Sequence, residues 1–181
     1  MLGRHSKRTV DHDFVAFYAE RGGHLRNTAF LLCGDWHLAE DLTQIVFTKL
    51  YRSWQRLDRH DTLDLYARKV LLRAFLDERR RPWRREFPVE PSSAELDGAA
   101  VGEDEASHPG LHAALMRLPK RRRAALVLRF WADMSIEQVA DAMNCSVGTV
   151  KSQTARGLAQ LRELLGAMRI DYATTERGCD D

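Results

Sequence analysis

The sequence predicts an all-α protein in which a flexible acidic linker joins two small helical domains. Apolar residues on both sides of residues 86–110 recur at three- and four-residue spacing, which is the period of an α-helix. Residues 86–110 lack this period, contain no Lys or Arg, and are rich in Pro, Ser, Gly and acidic residues. A stretch of this composition and length is typical of a linker between domains rather than of a loop inside one.

The breaks in this pattern set the expected domain boundaries. Both ends of the chain are without helical period, so we predict no regular structure there. The predicted segments are a disordered N-terminus at 1–10, a first domain at 11–85, the linker at 86–110, a second domain at 111–166 and a tail at 167–181.

Composition limits the class of protein. A net charge of +2 is too small to indicate nucleic-acid binding by itself, so the placement of the charges decides. The sequence has no apolar run of about 18 residues and no signal-peptide pattern, so we expect a cytoplasmic protein without membrane insertion.

Cysteine usage indicates neither a disulfide framework nor a metal centre. Cys33, Cys145 and Cys179 are odd in number and far apart, which fits reduced thiols. Cys33 and His37 could share a helical face, but no other Cys or His completes a set of four ligands. We therefore expect a buried thiol near a helix end, and predict no metal and no cofactor.

The first domain should open with two helices. A helical section begins at Asp11, is expected to be interrupted at Gly22 and Gly23, and ends at Gly34. Asp35 can cap a second helix. Its exposed side collects His37, Glu40, Asp41, Gln44 and Thr48. Taken alone, such a polar face is most often only solvated.

A third helix, rich in cations, should follow a polar interruption at residues 58–64. It is predicted over residues 65–81, where Pro82 stops it. Its outer positions and its end carry Arg68, Lys69, Arg73, Arg79, Arg80 and Arg81, followed by Trp83, Arg84 and Arg85. Clustered cations beside an aromatic ring suit a surface that holds phosphates or a separated strand. Taken alone, a charge run at the C-terminal end of a helix more often reflects only solvation and matching of the helix dipole.

The second domain is predicted to close with a helix-turn-helix. Ser135 and Gln138 form a capping-box pair, Asn144 can end that helix, and Ser146 offers the next N-cap. A preceding helix should run from Pro119 to about Trp131. It is expected to pack Leu126, Val127, Phe130 and Trp131 behind the motif, with Lys120 to Arg123 placed near the DNA backbone.

The second helix of this motif has an apolar stripe and an opposite polar face. The stripe contains Val147, Val150, Leu158, Leu161 and Leu165, and the opposite face contains Thr149, Lys151, Ser152, Gln153 and Arg156. Small hydrogen-bonding groups beside cations suit a DNA major groove, which offers base edges and phosphates. A solvated face of an ordinary helical hairpin is the alternative.

Three stretches resemble the bacterial extracytoplasmic-function (ECF) sigma factors, which keep only sigma regions 2 and 4. AEDLTQIVF at 39–47 is similar to the region 2 signature, and SVGTVKSQTARGLAQLRELL at 146–165 is similar to the region 4 recognition helix. LPKRRRAALVLRFWADMSIEQVADAMN at 118–144 also resembles the family. The excess of Arg over Lys is compatible with a GC-rich, actinobacterial member.

The resemblance implies a function and partners. The protein would not be an enzyme but a subunit that gives RNA polymerase its promoter specificity. Its partners would be core polymerase, through the beta-prime clamp helices and the beta flap, promoter DNA, and an anti-sigma factor of the kind that holds family members inactive.

The resemblance also implies residue roles. Glu40, Asp41 and Gln44 match the polymerase-docking positions, and Thr149, Lys151, Ser152, Gln153 and Arg156 match contacts to the minus-35 element. His60 and Asp61 fall in a segment resembling the loop that captures an unstacked minus-10 base, and Arg73, Arg79 and Arg80 belong to the helix that would hold the non-template strand.

Two positions depart from the family pattern. The family usually has Asn where this chain has Arg73, and Arg cannot reproduce an amide that both donates and accepts. Many relatives carry Arg where this chain has Gln153, which either removes a phosphate contact or adds a base-reading amide.

Three other functions fit less of the sequence. A stand-alone helix-turn-helix regulator leaves the face around Asp41 and Gln44 unexplained. A site-specific recombinase needs a nucleophilic Ser or Tyr, yet Ser6 lies in the predicted disordered start and Tyr18 and Tyr51 fit packing positions. An interaction adaptor leaves the recognition face without purpose.

Overall fold

A computed structural model describes residues 3–54, 60–78 and 109–176, and the regular elements in these ranges are helices, as predicted. Side chains are described for residues 12–54, 63–78 and 110–167. The helices are α1 (Gly3–Cys33), α2 (Trp36–Ser53), α3 (His60–Asp77), α4 (Pro109–Arg117), α5 (Lys120–Leu126), α6 (Ile136–Ala142) and α7 (Val147–Glu176). A π-helical turn, Val127–Trp131, continues α5.

Helices α1, α2 and α3 form the first unit. Its core consists of apolar side chains such as Leu25, Leu42 and Leu71, each fully buried. The Trp54 ring closes one end, with Phe17 edge-on at 5.5 Å between centroids. As predicted, Asp35 caps α2, its Oδ1 accepting from the Leu38 N–H at 3.0 Å.

Helix α1 corrects two predictions. The interruption expected at Gly22 and Gly23 is wrong, because α1 runs unbroken from Gly3 to Cys33. A glycine inside a helix costs only about 1 kcal/mol, and the packing of α1 outweighs this cost. Gly22 itself lies in a packed region, because a Cβ added there would contact Phe47 and Tyr18 at 3.9 Å. The disorder expected at 1–10 is also wrong from Gly3 onward, because a helix extends readily into residues without a breaker once it has formed.

Helices α4 to α7 form the second unit. Leu115, Leu118 and Leu126 make a small core on which Leu158 and Leu161 of α7 pack. Val139, Met143 and Val150 of the helix-turn-helix join a larger core that continues into the first unit.

The segment after α5 differs from the prediction. Leu126 and Val127 are buried as expected, whereas Phe130 is 62% exposed and Trp131 turns toward the first unit. The wider π turn changes the angle between successive side chains, so a regular α-helical wheel misplaces the two aromatic rings.

Two boundaries shift as well. Residues 86–108 of the predicted linker lie outside the described residues, and its last two residues begin α4. Helix α7 continues to Glu176, so the tail expected from residue 167 is helical over most of its length. The remainder, 177–181, lies outside the described residues.

The two units pack against each other through stacked rings and a buried hydrogen bond. Trp131 donates its indole N–H to the Thr28 hydroxyl at 3.1 Å and stacks on His24 with 5.6 Å between ring centroids. Phe30 of α1 stacks on His112 of α4 at 4.6 Å. The sequence did not predict this arrangement.

Gly34, in the turn between α1 and α2, has a constrained backbone. Its φ is +78°, and an added Cβ would overlap the Met116 sulfur of α4. Gly34→Ala should lower the free energy of unfolding by about 1–2 kcal/mol, since the left-handed conformation costs other L-residues roughly that much. Urea denaturation measures the change.

Gly23 provides the matched control for this prediction. Its position is helical with open space around it, so Gly23→Ala should raise the free energy of unfolding by about 0.5–1 kcal/mol. Equal stability of Gly34→Ala and the unchanged chain would contradict the assigned strain.

Candidate nucleic-acid interface

Two hydrogen-bonded helix starts and one residue in the left-handed conformation set the geometry of the helix-turn-helix. Ser135 Oγ accepts from the Gln138 N–H at 3.2 Å, and the Gln138 side chain accepts from the Ser135 N–H at 2.7 Å. Asn144 follows α6 with a φ of 49°, a conformation that Asn tolerates. Ser146 Oγ then accepts from the Thr149 N–H at 3.1 Å. The predicted capping box, stop and second cap are therefore confirmed.

Helix α7 presents the predicted polar face to solvent. Val150 is fully buried, whereas Lys151, Ser152 and Arg156 are exposed and Thr149 and Gln153 are half-buried. The Ser152 hydroxyl donates to the Thr149 carbonyl at 3.0 Å. The face thus offers hydroxyls, an amide and two cations along two turns, the kinds of groups that contact bases and phosphates.

The cations of α3 divide between solvent and the second unit. Arg73 is exposed. Arg68 donates to the carbonyl of Ala132, and Lys69 pairs with Asp141 of α6 at 2.6 Å. The predicted site residues Arg79 and Arg80 lie outside the described residues.

The loop predicted at residues 58–64 is wrong from His60 onward, and residues 58 and 59 lie outside the described residues. Helix α3 begins at His60, so His60 and Asp61 stand in its first turn. The helical period of buried Leu63 and Ala67 extends upstream through residues that contain neither Gly nor Pro. The side chains of His60 and Asp61 lie outside the described set.

Helix α2 exposes the second predicted site. Asp41 and Gln44 point to solvent, while the Glu40 carboxylate accepts from Arg26 of α1 at 2.8 Å. Gln44 borders a groove of about 630 Å³ between α1 and α2. Tyr18, which the sequence suggested as a packing residue, lines this groove and packs edge-on against Phe47 with 4.6 Å between ring centroids. Its ring nevertheless remains 54% exposed.

At the junction of the units, the Arg123 side chain is buried and the Cys33 side chain is half-buried. Arg123, expected near the DNA backbone, is 7% exposed and lies 5.7 Å from the Phe75 ring of α3. Burial lowers the pKa of its guanidinium. Burial also raises the pKa of the Cys33 thiol to about 11, so this thiol is protonated at neutral pH. It lies near the helix end, as the sequence predicted.

We expect the His24 ring, which stacks on Trp131, to make the contact between the units sensitive to pH. Burial first, and then the charge of Arg68, lowers its pKa below the ordinary value of 6.5, although Asp64 opposes this shift. In separated units the pKa would return toward that value. The neutral ring therefore favours contact, and this contribution is complete above pH 6.5 and is lost as the pH falls below it.

We expect acidification from about pH 7.5 to 5.5 to loosen the contact, measured as a larger radius of gyration by small-angle X-ray scattering. His24→Gln should weaken the response, and the part that remains should follow His112, whose pKa burial also lowers. His37→Gln is the control, since His37 is exposed on α2 away from this contact. A response that is unchanged in His24→Gln would contradict the assignment.

A helical chain that exposes polar and basic side chains on the second helix of a capped helix-turn-helix has the form of a DNA-binding transcription protein. None of the helices in the described ranges is long and apolar enough to span a membrane.

Comparison with known proteins narrows this class. Sigma-70 region 2 matches residues 17–85, and Sigma-70, region 4, matches residues 110–161. The chain is 34% identical over 167 residues to the RNA polymerase sigma-E factor of Streptomyces coelicolor, covering 91% of this chain and 93% of that protein. It is 33% identical over 143 residues to the ECF RNA polymerase sigma factor SigE of Mycolicibacterium smegmatis, covering 76% of this chain and 55% of that one.

A solved structure is similar across both units. The sigma factor RpoE of Bartonella quintana, crystallised with the anti-sigma factor NepR, superposes with a TM-score of 0.70 at 25% identity, covering 85% of this chain and 97% of that one. The chain belongs to the ECF family of RNA polymerase sigma factors, which direct transcription initiation.

Proposed function

We propose that this sigma factor recognises promoters through two separate surfaces and docks on core polymerase through a third. The exposed face of α7 reads the minus-35 element, the cations of α3 hold the non-template strand near the minus-10 element, and the polar face of α2 binds the polymerase. It acts in the cytoplasm as a non-catalytic subunit, with region 2 at 11–85 and region 4 at 111–166.

The observation that carries this proposal is the open face of α7. Lys151, Ser152 and Arg156 are exposed on one side of a helix whose other side is anchored by buried Val150. A recognition helix needs a fixed backbone and free polar side chains, because each base contact depends on their position. Thr149 and Gln153 flank this face and complete the proposed minus-35 contacts.

Helix α3 supplies the second surface. Arg73 is exposed, and its guanidinium suits phosphate contact. Because Arg replaces the family's usual Asn, we expect Arg73 to hold the strand rather than to read a flipped base. His60 and Asp61, in the first turn, with Arg79 and Arg80 beyond the end of α3, are proposed to contribute to the same surface.

The third surface is the polar side of α2. Asp41 and Gln44 are exposed and are proposed to bind the beta-prime clamp helices. Glu40 is paired with Arg26, so its role is to shape this surface as well as to contact the partner. The second unit would engage the beta flap.

An anti-sigma factor is the proposed regulator. The similar RpoE structure was crystallised with one, and the similarity extends over both units. We expect the partner to bind this compact arrangement and to cover the faces proposed for polymerase docking.

Addition of the purified chain to core polymerase on a genomic library of its host tests the proposal. We expect transcripts that start at discrete sites and share two upstream elements. Failure to associate with core polymerase in the absence of any inhibitor would overturn the proposal and leave a stand-alone regulator that binds duplex DNA unaided.

A further inference from the structure

We propose that Ser152 acts as a hydrogen-bond acceptor toward DNA, so that α7 selects a base with an exocyclic amine at the position that this side chain faces. Adenine and cytosine carry such an amine in the major groove, whereas guanine and thymine present no donor there. The inference deepens the proposed minus-35 role of α7 and rests on it.

Ser152 lies at the centre of the exposed face of α7. It follows fully buried Val150 by two residues, and two steps of about 100° place it on the opposite side of the helix. Lys151 and Gln153 are turned by one such step to either side of it. When this face enters a major groove, the central side chain points at the base edges and its neighbours lie nearer the phosphates.

A hydrogen bond within the helix uses the proton of the Ser152 hydroxyl. Its Oγ lies 3.0 Å from the Thr149 carbonyl oxygen. A carbonyl oxygen can only accept, so the hydroxyl is the donor in this bond. The lone pairs of Oγ are what this exposed side chain can still offer to DNA. An acceptor role therefore requires no rearrangement, whereas donation to a base would first break the bond to Thr149.

The neighbouring groups do not make the same selection. Lys151 and Arg156 are exposed and carry donors only. The Gln153 amide carries both a donor and an acceptor. The Thr149 hydroxyl shares a bond of 2.9 Å with the N-cap hydroxyl in which either group can donate, so it can offer DNA a proton or a lone pair. Among these groups, Ser152 has a hydroxyl whose direction of hydrogen bonding is set within the helix.

The test uses the full chain and a duplex that it selects from a pool with a randomised core. Purine replaces each adenine of the selected site in turn, and 2-pyrimidinone replaces each cytosine, because both analogues lack the amine. Anisotropy of the labelled duplexes gives the affinities of the unchanged chain, Ser152→Ala and Thr154→Val. Each analogue weakens base pairing equally for all three proteins, so a difference between proteins reports the contact.

Thr154→Val is the matched control for this test. Thr154 belongs to the same helix, and its Oγ1 is enclosed by protein, so this variant loses a hydroxyl that cannot reach DNA. Ser152→Ala loses an exposed hydroxyl and leaves no cavity. Both variants should therefore fold as the unchanged chain does.

We expect loss of the amine at one position to weaken binding about fivefold for the unchanged chain and for Thr154→Val, as for one neutral hydrogen bond. The same analogue should change the affinity of Ser152→Ala by less than about twofold, because the bond is already absent.

An equal loss for Ser152→Ala and the unchanged chain at every position would overturn the inference. A loss that depends on Ser152 when 7-deazapurines remove the N7 acceptor would also overturn it, because the hydroxyl would then be the donor. Dependence on the amine without promoter-specific transcription by core polymerase would support the acceptor role and refute the sigma role. Discrete promoter starts without any preferred duplex in the pool would refute the acceptor role and leave the sigma role standing.

Discussion

Changing Lys151 and Arg156 together to alanine is expected to weaken binding to a minus-35 duplex by about a hundredfold or more. Each side chain is exposed on the polar face of α7, where a contact to a base costs about 1–3 kcal/mol when it is lost and a contact to phosphate mainly changes the salt dependence. Titration of the labelled duplex at several salt concentrations separates these two contributions.

Arg162→Ala is the matched control for this prediction. Arg162 is exposed on the same helix and lies about 16 Å farther along its axis than Lys151, from the rise per residue. Its loss should change duplex affinity by less than about threefold, and all three substitutions should leave the free energy of unfolding within about 0.5 kcal/mol. Equal losses for Arg162→Ala and the double variant would show that general charge, not this face, binds DNA.

The recognition face could be predicted from the sequence because its causes are local. The capping pair Ser135 and Gln138, the stop at Asn144 and the cap at Ser146 act within a few residues of each helix end. Once α7 begins at a fixed residue, its helical period alone determines that Val150 faces inward and Arg156 faces outward.

The contact between the units could not be predicted in the same way. Trp131 reaches Thr28 across more than a hundred residues of sequence, and Lys69 reaches Asp141 across more than seventy. The sequence positions of Lys69 and Asp141 also need no contact to explain them, since a charged residue on a helix is usually solvated. The π turn before Trp131 added to the difficulty, because it changed the side-chain direction that a regular helix implies.

The helix boundaries failed for a related reason. Weak helix preference led us to expect a break at Gly22 and Gly23 and a loop before Leu65. The prediction gave this local preference too much weight. Packing of Leu25 and Leu63 into a common core contributes more than the roughly 1 kcal/mol that one such residue costs.

Asp41 and Gln44 are expected to produce the largest effect on polymerase binding. Both are exposed on α2, Gln44 lines the groove between α1 and α2, and buried Thr43 and Leu42 hold the helix beneath them. A hydrogen-bonding side chain at the centre of an interface contributes about 2 kcal/mol or more when it is truncated. Asp41→Ala with Gln44→Ala should therefore weaken binding to core polymerase by about a hundredfold or more.

Three measurements distinguish this role from solvation alone. The double variant should keep its free energy of unfolding within about 0.5 kcal/mol, because the substituted side chains are exposed. Lys49→Ala, exposed on another side of α2, should bind polymerase as the unchanged chain does. Binding of the minus-35 duplex should be unaffected, since α7 lies in the other unit. If the double variant binds core polymerase with unchanged affinity, the polar face of α2 is only solvated, and the docking surface must be sought elsewhere on the first unit, beginning with exposed Tyr18.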